Sequence, residues 1–195
     1  MHEQLIAYIN SHGKTPLSPE EEAQVAAAFT PKKLRKGQYL LQEGEVCKYY
    51  GFIVKGAMRQ YSVDDKGVEH IVQLAIENWW VGDRESIIML TPSPYNIDAW
   101  EASELLLSTR AAVLGLIETV PAVAQMIRNM DERHAIASQR RVNAAISLPA
   151  DKRYAEFVSC YPTLLQRFPQ HLIASYLGIT KETLSRIRHR AASGA

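Results

Sequence analysis

The sequence has little cysteine, no long apolar run and no cluster of catalytic residue types, and each shortage removes a class of function. Only Cys47 and Cys160 occur, far apart and each without a second thiol nearby. That excludes a cysteine-ligated zinc or iron–sulfur centre and leaves no disulfide expected in a reducing cell. No stretch approaches the ~18 uninterrupted apolar residues of a membrane span, so no membrane association is expected. The opening MHEQLIAYIN carries an acid and lacks a basic segment, which argues against a signal peptide and makes the cytoplasm the expected compartment. The six histidines show no metal-ligand spacing, and His70, alone on a predicted strand, is only an isolated haem-ligand candidate. No metal or cofactor is expected. No Ser/His/Asp or Cys/His set, phosphate loop or pair of catalytic acids can be assembled, so an enzyme is not expected either.

What is present begins with charge asymmetry. Residues 1–150 hold 15 Lys/Arg against 18 Asp/Glu, whereas residues 151–195 hold 7 against 3, so a net charge of +1 divides into −3 and +4. A polyanion, if there is one, should meet the C-terminal end. With 47% apolar residues the chain can build one large core or two small ones.

The pattern along the chain changes twice. Leu5, Ile6 and Ile9 mark a helix over about 3–10, and Ser18, Pro19 and Glu21 form a capping box that opens a second helix running to Phe29 and ended by Pro31. From Lys33 to about Gly115, short β-type runs alternate with glycines. Strands are predicted at 39–41, 50–54, 57–63 and 68–76, with Asp64–Gly67 as a hairpin turn, and the sheet continues at Trp100 and 104–109 after the loop 91–94. Regular turn spacing of this kind predicts a barrel or roll with an enclosed interior. Val120-Pro121 then starts a long helix reaching Leu148. Its seam of Val123, Ile127, Met130, His134, Ala137, Arg141 and Ala144 is narrow, which predicts a helix-packing or dimer interface.

The segment from Gln170 to His189 satisfies the requirements of a helix-turn-helix. Ile173 and Leu177 face inward one turn apart, Ala174 is small where two helices would approach, and Gly178 supplies a left-handed residue that ends the first helix. Ile179 plugs the turn, Thr180 caps the second helix, and Leu184 and Ile187 form its buried face. At about 100° per residue, Glu182, Ser185, Arg186 and His189 then point outward, with Lys181 at the N-terminal edge. Arg186 suits guanine and Glu182 a cytosine amino group, whereas Thr183, Arg188 and Arg190 lie where phosphates would pass. Gln170 and His171, which open the first helix, join the interface candidates.

Residues 173–186, Ile-Ala-Ser-Tyr-Leu-Gly-Ile-Thr-Lys-Glu-Thr-Leu-Ser-Arg, resemble the helix-turn-helix of the Crp/Fnr family of bacterial regulators. Residues 34–45 and Phe52–Gly56 are similar to the opening strands of that family's cyclic-nucleotide-binding-type β-roll, and the long helix stands where the family dimerises. The resemblance implies an α+β fold: N-terminal helices and a jelly-roll-like double-stranded β-roll over 1–118, a dimerisation helix over 119–148 and a helix-turn-helix domain over 149–195. Two departures stand out. Cyclic-AMP-binding members have Gly-Glu and, after a short loop, an arginine followed by a small residue that hold ribose and cyclic phosphate. Here Gly82-Asp83-Arg84-Glu85 occupies the first place, and Pro92–Ile97 occupies the second without an arginine. A buried phosphate without its guanidinium is disfavoured. Six residues follow His189, so the hairpin wing that often follows the recognition helix is not expected.

Trp79, Trp80 and Trp100 either line a pocket in the roll or are plain core. Trp80 and Trp100 with Asp83, Arg84 and Glu85 are the effector-pocket candidates. The expected function is sequence-specific transcription regulation by a homodimer on double-stranded DNA, without cyclic AMP control and with RNA polymerase as a further candidate partner. The alternative is a small-molecule receptor or interaction module with a vestigial helix-turn-helix.

Overall fold

The computed structural model describes residues 1–13 and 15–192. It opens with α1 (His2–His12) and α2 (Pro19–Ala28). The capping box forms as expected: the Glu21 N–H donates to Ser18 Oγ at 3.3 Å and the Ser18 N–H to Glu21 Oε2 at 2.8 Å. Pro31, however, does not fall in a loop. It lies inside β1 (Thr30–Leu34), which pairs only with β8 (Ser103–Thr109), and an edge strand tolerates a residue without an N–H.

Between these lie β2 (Tyr39–Leu41), β3 (Tyr49–Lys55), β4 (Met58–Val63), β5 (Glu69–Ala75), β6 (Trp80–Val81), α3 (Arg84–Met89) and β7 (Asn96–Ala99). The strands form two antiparallel four-stranded sheets, ordered β1-β8-β3-β6 and β2-β7-β4-β5. The sequence pattern does not reveal α3 or β7, Trp100 stands just after β7 rather than in the sheet, and strand character stops at Thr109 rather than continuing to Gly115. The chain instead turns helical at α4 (Arg110–Thr119), because the Thr109 hydroxyl accepts the Ala112 N–H at 3.2 Å and caps the helix.

Every strand sends at least one apolar residue into the roll: Leu34, Leu41, Ile53, Met58, Ala75, Val81, Ile97, Ala99 and Leu105 are all buried in one cluster with Cys47 and Ile87. Strands β3 and β8 bury their opposite faces too. Phe52 and Leu106 pack under α1, α2 and the helix pair α4 and α5 (Pro121–Ser147), which meet at 117° around the buried Val120. The outer face of the second sheet is covered by the C-terminal helices α6 (Ala150–Cys160), α7 (Pro162–Arg167), α8 (Gln170–Tyr176) and α9 (Lys181–Ala192). Ala57, Tyr61, Ile71 and Leu74 from the sheet join Phe157, Leu164, Phe168, Leu172, Ile173, Ala174 and Leu184 in a third cluster. The layers therefore run helices, sheet, sheet, helices. Among the described residues no single helix is long and apolar enough to cross a membrane.

Candidate nucleic-acid interface and the interior of the roll

Local chemistry shapes the C-terminal helix pair. Pro169 precedes α8, and Leu172, Ile173 and Ala174 bury its inner face. Gly178 follows with φ of 65°, a left-handed conformation that glycine adopts without penalty. The Ile179 N–H donates to Ala174 O and the Gly178 N–H to Ser175 O, both at 3.0 Å, which is the paired Schellman closure of a helix end. Thr180 then caps α9: its hydroxyl oxygen accepts the Thr183 N–H at 3.2 Å. Leu184 is buried against α8, and Ile187 is half-buried.

The opposite face of α9 is open. Lys181, Glu182, Arg186, His189 and Arg190 are exposed, Thr183 and Ser185 are half-buried, and Gln170 and His171 are exposed at the start of α8. Arg186 donates back to Thr183 Oγ1 at 3.2 Å, which holds the guanidinium along the helix. Arg188 is exposed but turns toward α6 and α8, bordering a small cavity of about 90 Å³ with Tyr154, Leu165, Gln170, Ile173 and Leu184.

The helix pair is seated firmly on the roll. Strand β5 is an edge of its sheet, and side chains from the helices occupy its backbone. Ser175 Oγ accepts the Ile71 N–H and donates to Glu69 O, each at 3.0 Å, and Arg141 donates to Val72 O at 2.6 Å while its guanidinium lies 4.9 Å from the Tyr176 ring centre. Arg167 sits between two carboxylates, with bonds of 3.0 and 3.3 Å to Glu77 and of 2.9 and 2.6 Å to Glu101. Burial alone would push the Glu77 carboxyl up, but bonds from Arg167 and the Gly56 N–H hold it below the usual glutamate range. Gly56 has no room for a side chain: a Cβ there would meet Ala102 O at 2.7 Å. Nothing in the sequence had singled out Arg167 or Ser175, because their partners lie 66 to 106 residues away.

The five effector-pocket candidates are not brought together. Trp80 packs with Tyr8, Phe29 and Phe52 beneath the N-terminal helices. Trp100 lies on the other side, against Phe168 and His171. Asp83 is buried and caps α3, accepting the Glu85 and Ser86 N–H groups at 3.1 and 3.3 Å; Arg84 turns outward to Asp131 on α5 at 2.6 Å; Glu85 is exposed. The reason is the alternation of β-structure and the 3.6-residue turn of α3, which send sequence neighbours to different faces. His70 is exposed and pairs with Asp64 at 3.0 Å, and no group of three metal-ligating side chains occurs among the described residues.

The expected dimer seam also divides. Val123 is buried in the first core beside Ala122 and Met126, Ile127 packs on that core, and Arg141 is bonded to the roll. Met130 and Ala144 are half-buried, and His134 and Ala137 are exposed. The apolar residues left uncovered are on other faces of the helix: Ile136 is 51% exposed, Val142 59% and Ile146 82%.

The comparisons agree with this architecture. Residues 31–120, which include the roll, match the model of the cyclic nucleotide-binding domain family. The chain as a whole shares its fold with several solved structures. It is similar to FixK2 of Bradyrhizobium japonicum (19% identity, TM-score 0.71, 85% of this chain and 86% of that one). It is likewise similar to CLP, the c-di-GMP responsive global regulator of Xanthomonas campestris (11% identity, TM-score 0.71, 91% and 93%). A third similar structure, from Eubacterium rectale, is described as a transcriptional regulator of the Crp/Fnr family (16% identity, TM-score 0.64, 91% and 85%). No curated protein matches the sequence.

Proposed function

We propose that the chain is a sequence-specific DNA-binding transcriptional regulator of Crp/Fnr type, acting as a homodimer on a two-fold-related operator and not controlled by cyclic AMP. The observation that carries the reading is α9 itself. Its inner face is committed to Leu184, its start is fixed by the Gly178 turn and the Thr180 cap, and its outer face presents Lys181, Glu182, Arg186 and His189 to solvent. Helix-turn-helix proteins lay such a face in the major groove. Arg186 is placed to read guanine, Glu182 and Ser185 to contact neighbouring base edges, and Lys181, Thr183, Arg188, Arg190, Gln170 and His171 to meet phosphates.

Dimerisation is assigned to α5, on a face different from the seam expected from sequence. From Glu132 to Asn143 every residue is exposed. Ala135, Gln139, Val142 and Ile146 follow at spacings of four, three and four, which is the stripe a second copy of the helix would cover. Met130, His134, Ala137 and Ala144, expected in the seam, lie on other faces of the helix.

Independence from cyclic AMP rests on the filled interior. Ile97, at the end of the segment where an arginine would stand, and the nearby Ala99 are buried among Leu41, Met58 and Leu105, and the Asp83 carboxylate already occupies the N-terminal N–H groups of α3. A cyclic phosphate there would face a buried carboxylate without a guanidinium. The deciding experiment is selection of an operator from random duplexes, followed by titration of selected and scrambled duplexes at several salt concentrations. Discrimination between them with steep salt dependence is expected; equal binding of both would refute sequence-specific regulation.

A further inference from the structure

The first turn of α9 carries a connected chain of side-chain hydrogen bonds. Thr180 Oγ1 accepts the Thr183 N–H at 3.2 Å and donates its own proton to Thr183 Oγ1 at 3.1 Å. From the next turn the Arg186 guanidinium donates to the same Thr183 Oγ1 at 3.2 Å. Helical geometry makes the chain possible, because residues three apart are neighbours and long side chains lean back toward the N-terminus. Arg186 therefore lies over the turn that begins the helix. Glu182, one turn before it, is also within i, i+4 reach, yet Arg186 makes no ion pair among the described residues. The guanidinium is held by a neutral hydroxyl, and the Glu182 carboxylate is left exposed.

A count of hydrogen-bonding capacity shows what remains open. A hydroxyl offers two lone pairs and one proton. Both lone pairs of Thr183 are filled, by the Thr180 hydroxyl and by Arg186, so its proton is the one capacity left, and it requires an acceptor. A guanidinium has five N–H donors in a fixed fork, so one bond to Thr183 leaves enough for a forked contact with guanine. Helix-turn-helix proteins present the N-terminal residues of this helix to base edges, between walls lined with phosphates. The acceptor that the Thr183 proton would meet there is a phosphate oxygen.

On the regulator reading above, which this inference deepens, we propose that Thr183 is the positioning residue for base recognition by α9, holding the Arg186 guanidinium in the pose that reads guanine. Donation by Thr183 to a phosphate makes its oxygen a stronger acceptor for Arg186, because linked hydrogen bonds polarise one another. Backbone contact and base contact then form one unit. An arginine already fixed on the helix also loses less rotamer freedom on binding than a free one.

The test uses the full chain with Thr183→Val, which keeps the branched shape and removes the hydroxyl, and Thr183→Ser, which keeps the hydroxyl. Each is made alone and together with Arg186→Ala. Each is titrated against the selected duplex and against one in which the G·C pair relaxed by Arg186→Ala is replaced by A·T. Thr183→Val should lose roughly three- to tenfold of the discrimination between the two duplexes, the equivalent of freeing one long side chain. Thr183→Ser should retain most of that discrimination. In the Arg186→Ala background Thr183→Val should change it no further, since the two residues act as a unit. The salt slope should stay the same, because a neutral hydroxyl displaces no counterion. The melting temperature should be nearly unchanged as well, since the bond from the Thr183 N–H to Thr180 does not involve the substituted side chain.

Equal loss on both duplexes would reduce Thr183 to a phosphate contact and overturn the proposal, as would additive effects of the two substitutions or the absence of any position relaxed by Arg186→Ala. Sharper discrimination by Thr183→Val would also overturn it, by showing that the bond parks the guanidinium away from the bases. All of these leave DNA binding by α9 in place. Failure of the wild type to prefer the selected duplex over a scrambled one would instead remove the regulator reading, and the role of Thr183 with it.

Discussion

Replacing Arg167 tests whether the C-terminal helices α7–α9 are seated on the roll by ion pairing. The guanidinium makes four hydrogen bonds to two carboxylates, Glu77 and Glu101, at 2.6 to 3.3 Å. Charge-assisted bonds of this kind are each worth about 1.5–3 kcal/mol when buried, whereas exposed pairs contribute about 0–1. Here the Arg167 side chain is 26% exposed, Glu77 31% and Glu101 38%, so the sum must be discounted heavily for solvent screening. Arg167→Met, which keeps much of the stem and removes the charge, should cost about 2 kcal/mol and leave two carboxylates facing each other. For a chain of this size that lowers Tm by about 4–8 °C. The pH dependence has a definite sign. Glu77 is held below its ordinary pKa, so its share of the stability is present above the unfolded value of about 4.3 and is lost as the pH falls through the lower folded value. Urea titrations of wild type and variant should therefore differ fully at pH 7 and converge as the solution becomes strongly acid, with Glu77→Gln showing coupling to Arg167→Met in a double-mutant cycle. A variant as stable as wild type at pH 7, or a difference that persists unchanged at pH 2.5, would refute the clamp.

Arg186→Ala should cost about 1–3 kcal/mol on a selected operator and relax the preference at one G·C position, whereas Arg190→Ala should weaken all duplexes about equally and lower the salt slope by about one; the same loss on selected and scrambled duplexes for Arg186→Ala would mean that α9 does not read bases. Val142→Asp combined with Ile146→Asp should give folded monomers by sedimentation, because charges would be placed on the uncovered stripe of α5, while Val123→Asp should unfold the protein by burying a charge in the first core. A folded, dimeric Val142/Ile146 variant would move the interface elsewhere. Millimolar cyclic AMP should leave the melting temperature nearly unchanged, since a ligand stabilises only in proportion to its occupancy; a clear calorimetric isotherm would show that the roll interior opens.

What the sequence determined by itself is local. The Ser18–Glu21 capping box, the Asp64–Gly67 turn and the Gly178–Thr180 turn were legible because each is closed by partners within about five residues, so residue identity at fixed spacing carries nearly all the information. The length of α5 was legible for the same reason, bounded by Pro121 and Pro149. Tertiary structure decided the rest. Strand β7 holds Asp98 and follows Pro-Ser-Pro, which reads as loop, yet it lies in the middle of its sheet, where it pairs with β2 and β4, buries Ile97 and Ala99, and has its Asp98 carboxylate bonded by Arg59, 39 residues away, at 2.9 and 3.0 Å. Pro31 became a strand residue only because β1 is an edge. The helical period of α5 shows that several faces carry apolar residues, but it does not say which face packs on the protein's own roll. Val123 was taken by the first core and Arg141 by the β5 edge, and Val142 and Ile146 were left to solvent. A helix reports its own stripe, whereas the surface that stripe meets is supplied by residues far away in the chain.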